Sequence, residues 1–110
     1  MTENTQNNDG SPACIVIHYC SLCQWQLRAA WMAQEILQTF DPSEVMQVAL
    51  RPGQGGVFQI WRELPDHGRE ILWDRKIDTG FPSAKQLKQR IRDAVNPTKS
   101  LGHLDKRSSD

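Results

Sequence analysis

Cys20 and Cys23 carry the most chemistry in this chain. The run reads Cys20-Ser21-Leu22-Cys23, two thiols three positions apart. The residues before it form a strand-like apolar stretch and those after it have helical spacing, so the pair is expected where a strand hands over to a helix. A helix start offers unpaired N–H groups and a partial positive charge. Both favour thiolate over thiol and pull a cysteine below its free value of about 8.5. A second thiol one turn away can attack a mixed disulfide and release the product. The expected chemistry is therefore dithiol redox exchange, with an activated nucleophile and a resolving partner.

A CxxC pair is also half of a zinc site. A closed structural zinc takes four ligands, usually from two such knuckles, and this sequence has no second CxxC. Cys14 and His18 are the nearest extra donors. Along a straight strand at about 3.3 Å per residue, Cys14 falls about 20 Å from Cys20, beyond any metal shell. No metal or other cofactor is expected. Cys14 reads as a small core hydrophobe. His18 could assist thiolate formation, but a strand-end imidazole that merely hydrogen bonds is the reading we favour. His67 falls in a turn and His103 in the C-terminal tail, and neither reads as functional.

The elements that must position the pair follow from patterning. Ala13 to Tyr19 is β-branched and aromatic without helical period, a buried strand. Ser21 to Phe40 reads as a helix, with Trp25, Ala29, Met32, Ala33, Ile36 and Phe40 on one stripe, Leu37 at its edge, and Asp41-Pro42 as its stop. Glu44 to Arg51 alternates, with Met46, Val48 and Leu50 on one side. The PGQGG run from Pro52 is a loop. Val57 to Glu63 and Arg69 to Asp74 flank the turn residues of a hairpin. Asp78 to Pro82 is a second loop. Ser83 then opens a helix with Gln86 as its capping-box partner. Its apolar stripe is Ala84, Leu87, Ile91, Ala94 and Val95; its outer stripe is Lys85, Lys88 and Arg92. Strand–helix–strand must cross over, which makes the first two strands parallel. The fold class is α/β, in the order β-α-β-β-β-α, with a four-stranded mixed sheet and two helices. A CxxC beside such a βαβ unit is a thioredoxin-like redox signature.

The whole chain, 110 residues, is one domain: a polar tail expected to be disordered over 1–12, a folded unit over 13–95 and a polar C-terminal tail over 96–110. Lys plus Arg and Asp plus Glu both total 13. A chain without net charge has no global field to draw it to nucleic acid or anionic lipid. No apolar run approaches the roughly 20 residues of a membrane helix, and the N-terminal stretch lacks the features of a secretory signal. Three cysteines are too few for a disulfide scaffold, so the expected compartment is the reducing cytoplasm.

Together these pieces resemble the Rdx family of selenoproteins W, T and H, in a bacterial all-cysteine form. The resemblance rests on the strand with Tyr19-Cys20-Ser21-Leu22-Cys23, on Pro52-Gly53…Gly56-Val57-Phe58, on the hairpin, and on Gly80-Phe81-Pro82 before the last helix. It spans about residues 14 to 95. It implies a thioredoxin-like fold. Animal members carry selenocysteine at the position of Cys23, so a peroxide-reducing activity is weakened here while thiol–disulfide exchange survives. The resemblance also implies protein thiols, glutathione or a thioredoxin-type protein as partners. General dithiol logic takes Cys20 as the attacking thiolate, being the more exposed sulfur, with Cys23 resolving; the selenocysteine position favours Cys23. Pro52, Gly80, Phe81 and Pro82 become candidate substrate-binding residues at the same sheet end, with Pro52 expected cis, or at least its loop beside the cysteines.

Three functions compete. The first is a thiol–disulfide oxidoreductase acting on protein or glutathione disulfides. The second is a binding module whose CxxC only gates a contact. The third is a zinc-binding structural domain. On the first helix, Leu27 and Trp31 are four apart and face away from the core stripe. The resemblance implies both helices on one side of the sheet, leaving the other face without cover. The exposed Leu–Trp pair is therefore expected to serve self-association or protein docking, the alternative being that Trp31 folds down against the second helix.

Overall fold

The computed structural model describes residues 11–102. Its elements run β1 (Ala13–Cys20), α1 (Gln26–Thr39), β2 (Val45–Gly53), β3 (Phe58–Glu63), β4 (Arg69–Asp74), α2 (Arg75–Asp78) and α3 (Ala84–Val95). The sheet order is β2-β1-β3-β4. β1 pairs parallel with β2 and antiparallel with β3, and β3 pairs antiparallel with β4. This is the α/β, thioredoxin-like layout that the patterning predicts, with one four-residue helix, α2, added between β4 and the Gly80 loop.

β1 lies inside the sheet, which is why its residues are apolar on both faces. Ala13, Ile15, Ile17 and Tyr19 join one cluster with Ala29, Met32, Ala33 and Ile36 of α1 and Leu87, Ile91 and Ala94 of α3. Both long helices therefore lie on one side of the sheet. The i, i+3, i+4 spacing of their apolar residues produces this directly. Leu37, at the edge of the α1 stripe, is exposed. Ser83 caps α3 as predicted: its Oγ accepts from the Gln86 N–H, and Gln86 Oε1 accepts from the Ser83 N–H. The outer stripe of α3 is not simply solvated. Lys88 bridges to Glu35 of α1 at 2.8 Å, and Arg92 donates to the Lys99 carbonyl. The chain stays docked through residue 99, where Lys99 Nζ and Asn96 Nδ2 both reach Glu44. His103 and most of the predicted N-terminal tail lie outside the described residues.

Two expectations need correction. The alternation read in the second strand puts Met46 on the same side as Val48 and Leu50. The register instead jumps between Ala13↔Val45 and Cys14↔Gln47. One extra residue in β2 inverts the alternation, so Val45 is buried and Met46 is exposed. The helix-free face of the sheet is also not bare. Trp61 lies there with no exposed surface. Arg69 stacks on its ring at 3.9 Å and Arg51 stands 6.0 Å from it. His18 meets it edge-on, with centroids 5.6 Å apart. The long stems of the two arginines, carrying their charge outward, screen apolar surface that a helix would otherwise cover.

Candidate redox site

Cys20 ends β1, but α1 does not begin at Ser21. Residues 21–24 form a turn closed by a bond from the Gln24 N–H to the Ser21 carbonyl, 3.1 Å long. Gln24 sits at φ 62°, a left-handed conformation that ends any helical run there. Trp25 is the N-cap and the helix starts at Gln26. Cys23 thus stands in a tight turn three residues ahead of the helix, and the turn, more than the helix dipole, sets the environment of the pair.

The two sulfurs are 2.6 Å apart, with Cys23 Sγ donating to Cys20 Sγ. That S–H bond is the main cause holding the Cys20 thiol below its usual range. Backbone N–H groups of Gly56, Cys23 and Leu22 add to it, while burial opposes. Donating to Cys20 pushes Cys23 upward, as do burial and the neighbouring sulfur; the Gly56 N–H and the Arg75 guanidinium offset part of this. The first proton lost from the pair therefore leaves its charge mainly on Cys20. Accessibility runs the other way: Cys20 is only 1% exposed and Cys23 is exposed. The exposure that favoured Cys20 as the attacking sulfur belongs to Cys23.

The loop after β2 does lie against the cysteines. The Cys20 N–H donates to the Val57 carbonyl at 2.8 Å, and both the N–H and the Oγ of Ser21 donate to the Gly53 carbonyl, at 2.9 and 3.1 Å. Pro52 is not cis: no cis peptide bond occurs among the described residues. It continues β2 opposite Tyr19. An edge strand tolerates a proline because one row of its N–H groups faces no partner, so the chain needs no reversal there. The sheet-end contacts come from Gly53 and Gly56 instead.

Gly80, Phe81 and Pro82 reach the same end of the molecule. Gly80 adopts φ 123° and its carbonyl accepts from Trp73 Nε1 at 2.8 Å. Pro82 is buried. The half-buried Phe81 ring meets Phe58 and Trp25 edge-on, each with centroids 4.9 Å apart. Patterning had placed Trp25 in the core stripe; it packs against the core and also faces this loop. Arg28 and Arg75 carry no local mark in the sequence, and Ser21 and Gly56 stand there only as members of the quoted motifs, because their roles depend on which loops meet.

Cys14 is half-buried and outside the main cluster, on the helix-free face rather than in the core. His18 packs against Gly53 and Trp61, and its Nδ1 is buried without a hydrogen-bond partner. Among the described residues no group of three or more His, Cys, Asp or Glu side chains is arranged to hold a metal ion, and no helix is long and apolar enough to cross a membrane.

Comparison with known proteins agrees with this geometry. The family model described as the Rdx family matches residues 14–93. A crystal structure from Bordetella parapertussis is 57% identical, with a TM-score of 0.67, and the match covers 74% of this chain and 96% of that one. The crystal structure of a selenoprotein W-related protein from Vibrio cholerae is 45% identical, again with a TM-score of 0.67, covering 78% of this chain and 100% of that one. No curated protein matches. With its dithiol turn and the glycine loops around it spanned by these matches, the chain belongs to the Rdx family.

Proposed function

We propose that this protein is a thiol–disulfide oxidoreductase in which Cys23 attacks and Cys20 resolves. The observation that carries the reading is the pair itself: two sulfurs 2.6 Å apart, one buried and one open to solvent. In the singly deprotonated pair the remaining proton moves along the S–H···S contact. With the proton on Cys20, the exposed Cys23 thiolate attacks one sulfur of a substrate disulfide. A Cys23–substrate S–S bond forms, the substrate S–S bond breaks, and the other substrate sulfur leaves with the electron pair as a thiolate. Cys20 then loses its proton to that thiolate or to water and attacks Cys23 Sγ, releasing the second substrate thiolate. The dithiol is oxidised by two electrons and the substrate disulfide is reduced. The reaction is reversible, so the partner's potential sets its direction. Protein disulfides and glutathione disulfide are the substrate classes proposed, with a thioredoxin-type protein as a further partner. Phe81, which meets Trp25 two positions after Cys23, is proposed with Gly80 and Pro82 as one wall of the approach.

The test pairs Cys20→Ser and Cys23→Ser with an aromatic disulfide reagent. The native protein should release two thiols and end with a Cys20–Cys23 disulfide that leaves Cys14 free. Cys20→Ser should stall as a mixed disulfide on Cys23, and Cys23→Ser should react far more slowly. The reverse pattern would exchange the two roles. A native protein that forms no Cys20–Cys23 disulfide would remove the oxidoreductase reading in favour of a binding module.

A further inference from the structure

The exposed thiol stands beside a ladder of alternating charge and ring. The Arg28 guanidinium lies 4.2 Å from the centroid of Phe81. Phe81 meets Trp25 at 4.9 Å, and the Arg75 guanidinium lies 5.1 Å from the centroid of Trp25. Arg75 is fixed further by a bond from its Nε to the Gly56 carbonyl, 3.2 Å long, and Gly56 is the loop residue whose N–H faces both sulfurs. The ladder therefore runs along the site, with one guanidinium at each end.

Neither Arg28 nor Arg75 has a carboxylate within ion-pair distance among the described residues. The acidic groups nearby are engaged. Asp78 pairs with Arg90 at 3.0 Å. Asp74 accepts from Gln59 Nε2 and from the Lys76 N–H. Contact with the aromatic rings holds the two guanidiniums in place, and apart from the Arg75 Nε–H, which the Gly56 carbonyl takes, it leaves their N–H donors for a carboxylate. Between the two cysteines, Leu22 is 80% exposed and offers an apolar contact beside the reacting sulfur. The distance between the guanidiniums cannot exceed the three ladder steps taken together. About four residues of extended chain, at roughly 3.4 Å each, cover it.

We infer that Arg28 and Arg75 select the substrate: a disulfide-bonded polypeptide segment with acidic residues close to its reacting cysteine. This deepens the exchange reading above and rests on it. Two fixed positive charges, Arg75 acting on Cys23 directly and Arg28 at the far end of the ladder, raise the encounter rate with an acidic segment and repel a basic one, an effect that salt screens.

The experiment uses three short synthetic peptides, identical but for Glu, Gln or Lys on both sides of a single cysteine held as a mixed disulfide with 2-mercaptoethanol. Second-order rates of exchange with the reduced full-length protein are measured at low and high salt. At low salt the Glu peptide should react about tenfold faster than the Lys peptide, with Gln between them, and the spread should shrink at high salt. In Arg28→Gln with Arg75→Gln the Glu-to-Lys ratio should fall towards unity, and Arg28→Glu alone should reduce it. Equal rates for all three peptides with the native protein overturn the inference while leaving the exchange reading intact. A preference that persists in the double variant overturns the assignment to these two arginines. No exchange with any peptide removes the exchange reading, and this inference with it.

Discussion

Replacing Gly53 by alanine puts a methyl group 2.3 Å from Nε2 and 2.9 Å from Cδ2 of His18, and 3.0 Å from Cγ1 of Val57. The imidazole cannot swing freely away, because its other side meets Trp61, which is fully buried. Overpacking of this kind costs about 1–3 kcal/mol. A displaced Gly53 also weakens the two bonds its carbonyl accepts from Ser21, each worth about 0.5–1.5 kcal/mol and here at the low end because the site is open to water. The lower chain entropy of alanine in the unfolded state returns about 0.4–1 kcal/mol. The net expectation is a loss of about 2 kcal/mol, or roughly 10 °C in Tm for a domain of this size. The assay is chemical denaturation of Gly53→Ala, His18→Ala and the double variant. With the imidazole gone, only the Val57 methyl remains close, and the Gly53→Ala step should cost less than about 0.5 kcal/mol. The coupling between the two sites should then be about 1.5 kcal/mol. If Gly53→Ala costs the same with and without His18, the steric argument is wrong.

The same imidazole makes stability depend on pH. Burial first, then the nearby Arg51 and Arg69, hold His18 below its ordinary value, so the unfolded chain binds this proton more readily than the folded one. Its contribution is fully present above about pH 6.5 and is lost as pH falls below that value. Unfolding free energy should drop as pH falls below about 6.5, and His18→Gln should flatten that part of the profile; an unchanged slope would show that His18 is not the group responsible. Leu27 is 82% and Trp31 44% exposed, so Leu27→Lys with Trp31→Gln should shift unfolding free energy by less than about 1 kcal/mol. If these residues form a contact between copies of the chain, the same variant should lower the solution mass measured by light scattering; a collapse in the stability of a monomeric parent would instead place the pair in the core.

Local chemistry alone was enough for the four strands, the two long helices and the location of the dithiol. The β-branched run before Tyr19, the helical spacing from Trp25 to Phe40 and the Ser83–Gln86 cap each act through residues near in sequence, and each appears where that chemistry places it. The parallel pairing of β1 with β2 also follows, because a strand–helix–strand connection can close in few ways. The delayed start of α1 was not legible. Ser21 to Trp25 fits a helical pattern in isolation, and the turn wins because Cys20 and Ser21 are bonded to Val57 and Gly53, more than thirty residues away. The extra residue in β2 is likewise a property of the strand pair and not of either strand. Which sulfur is buried, why Gly53 lacks a side chain, and which backbone groups meet the thiols are all decided where loops from distant parts of the chain converge. Sequence spacing fixes what one element presents along its own length; only packing decides what stands opposite it.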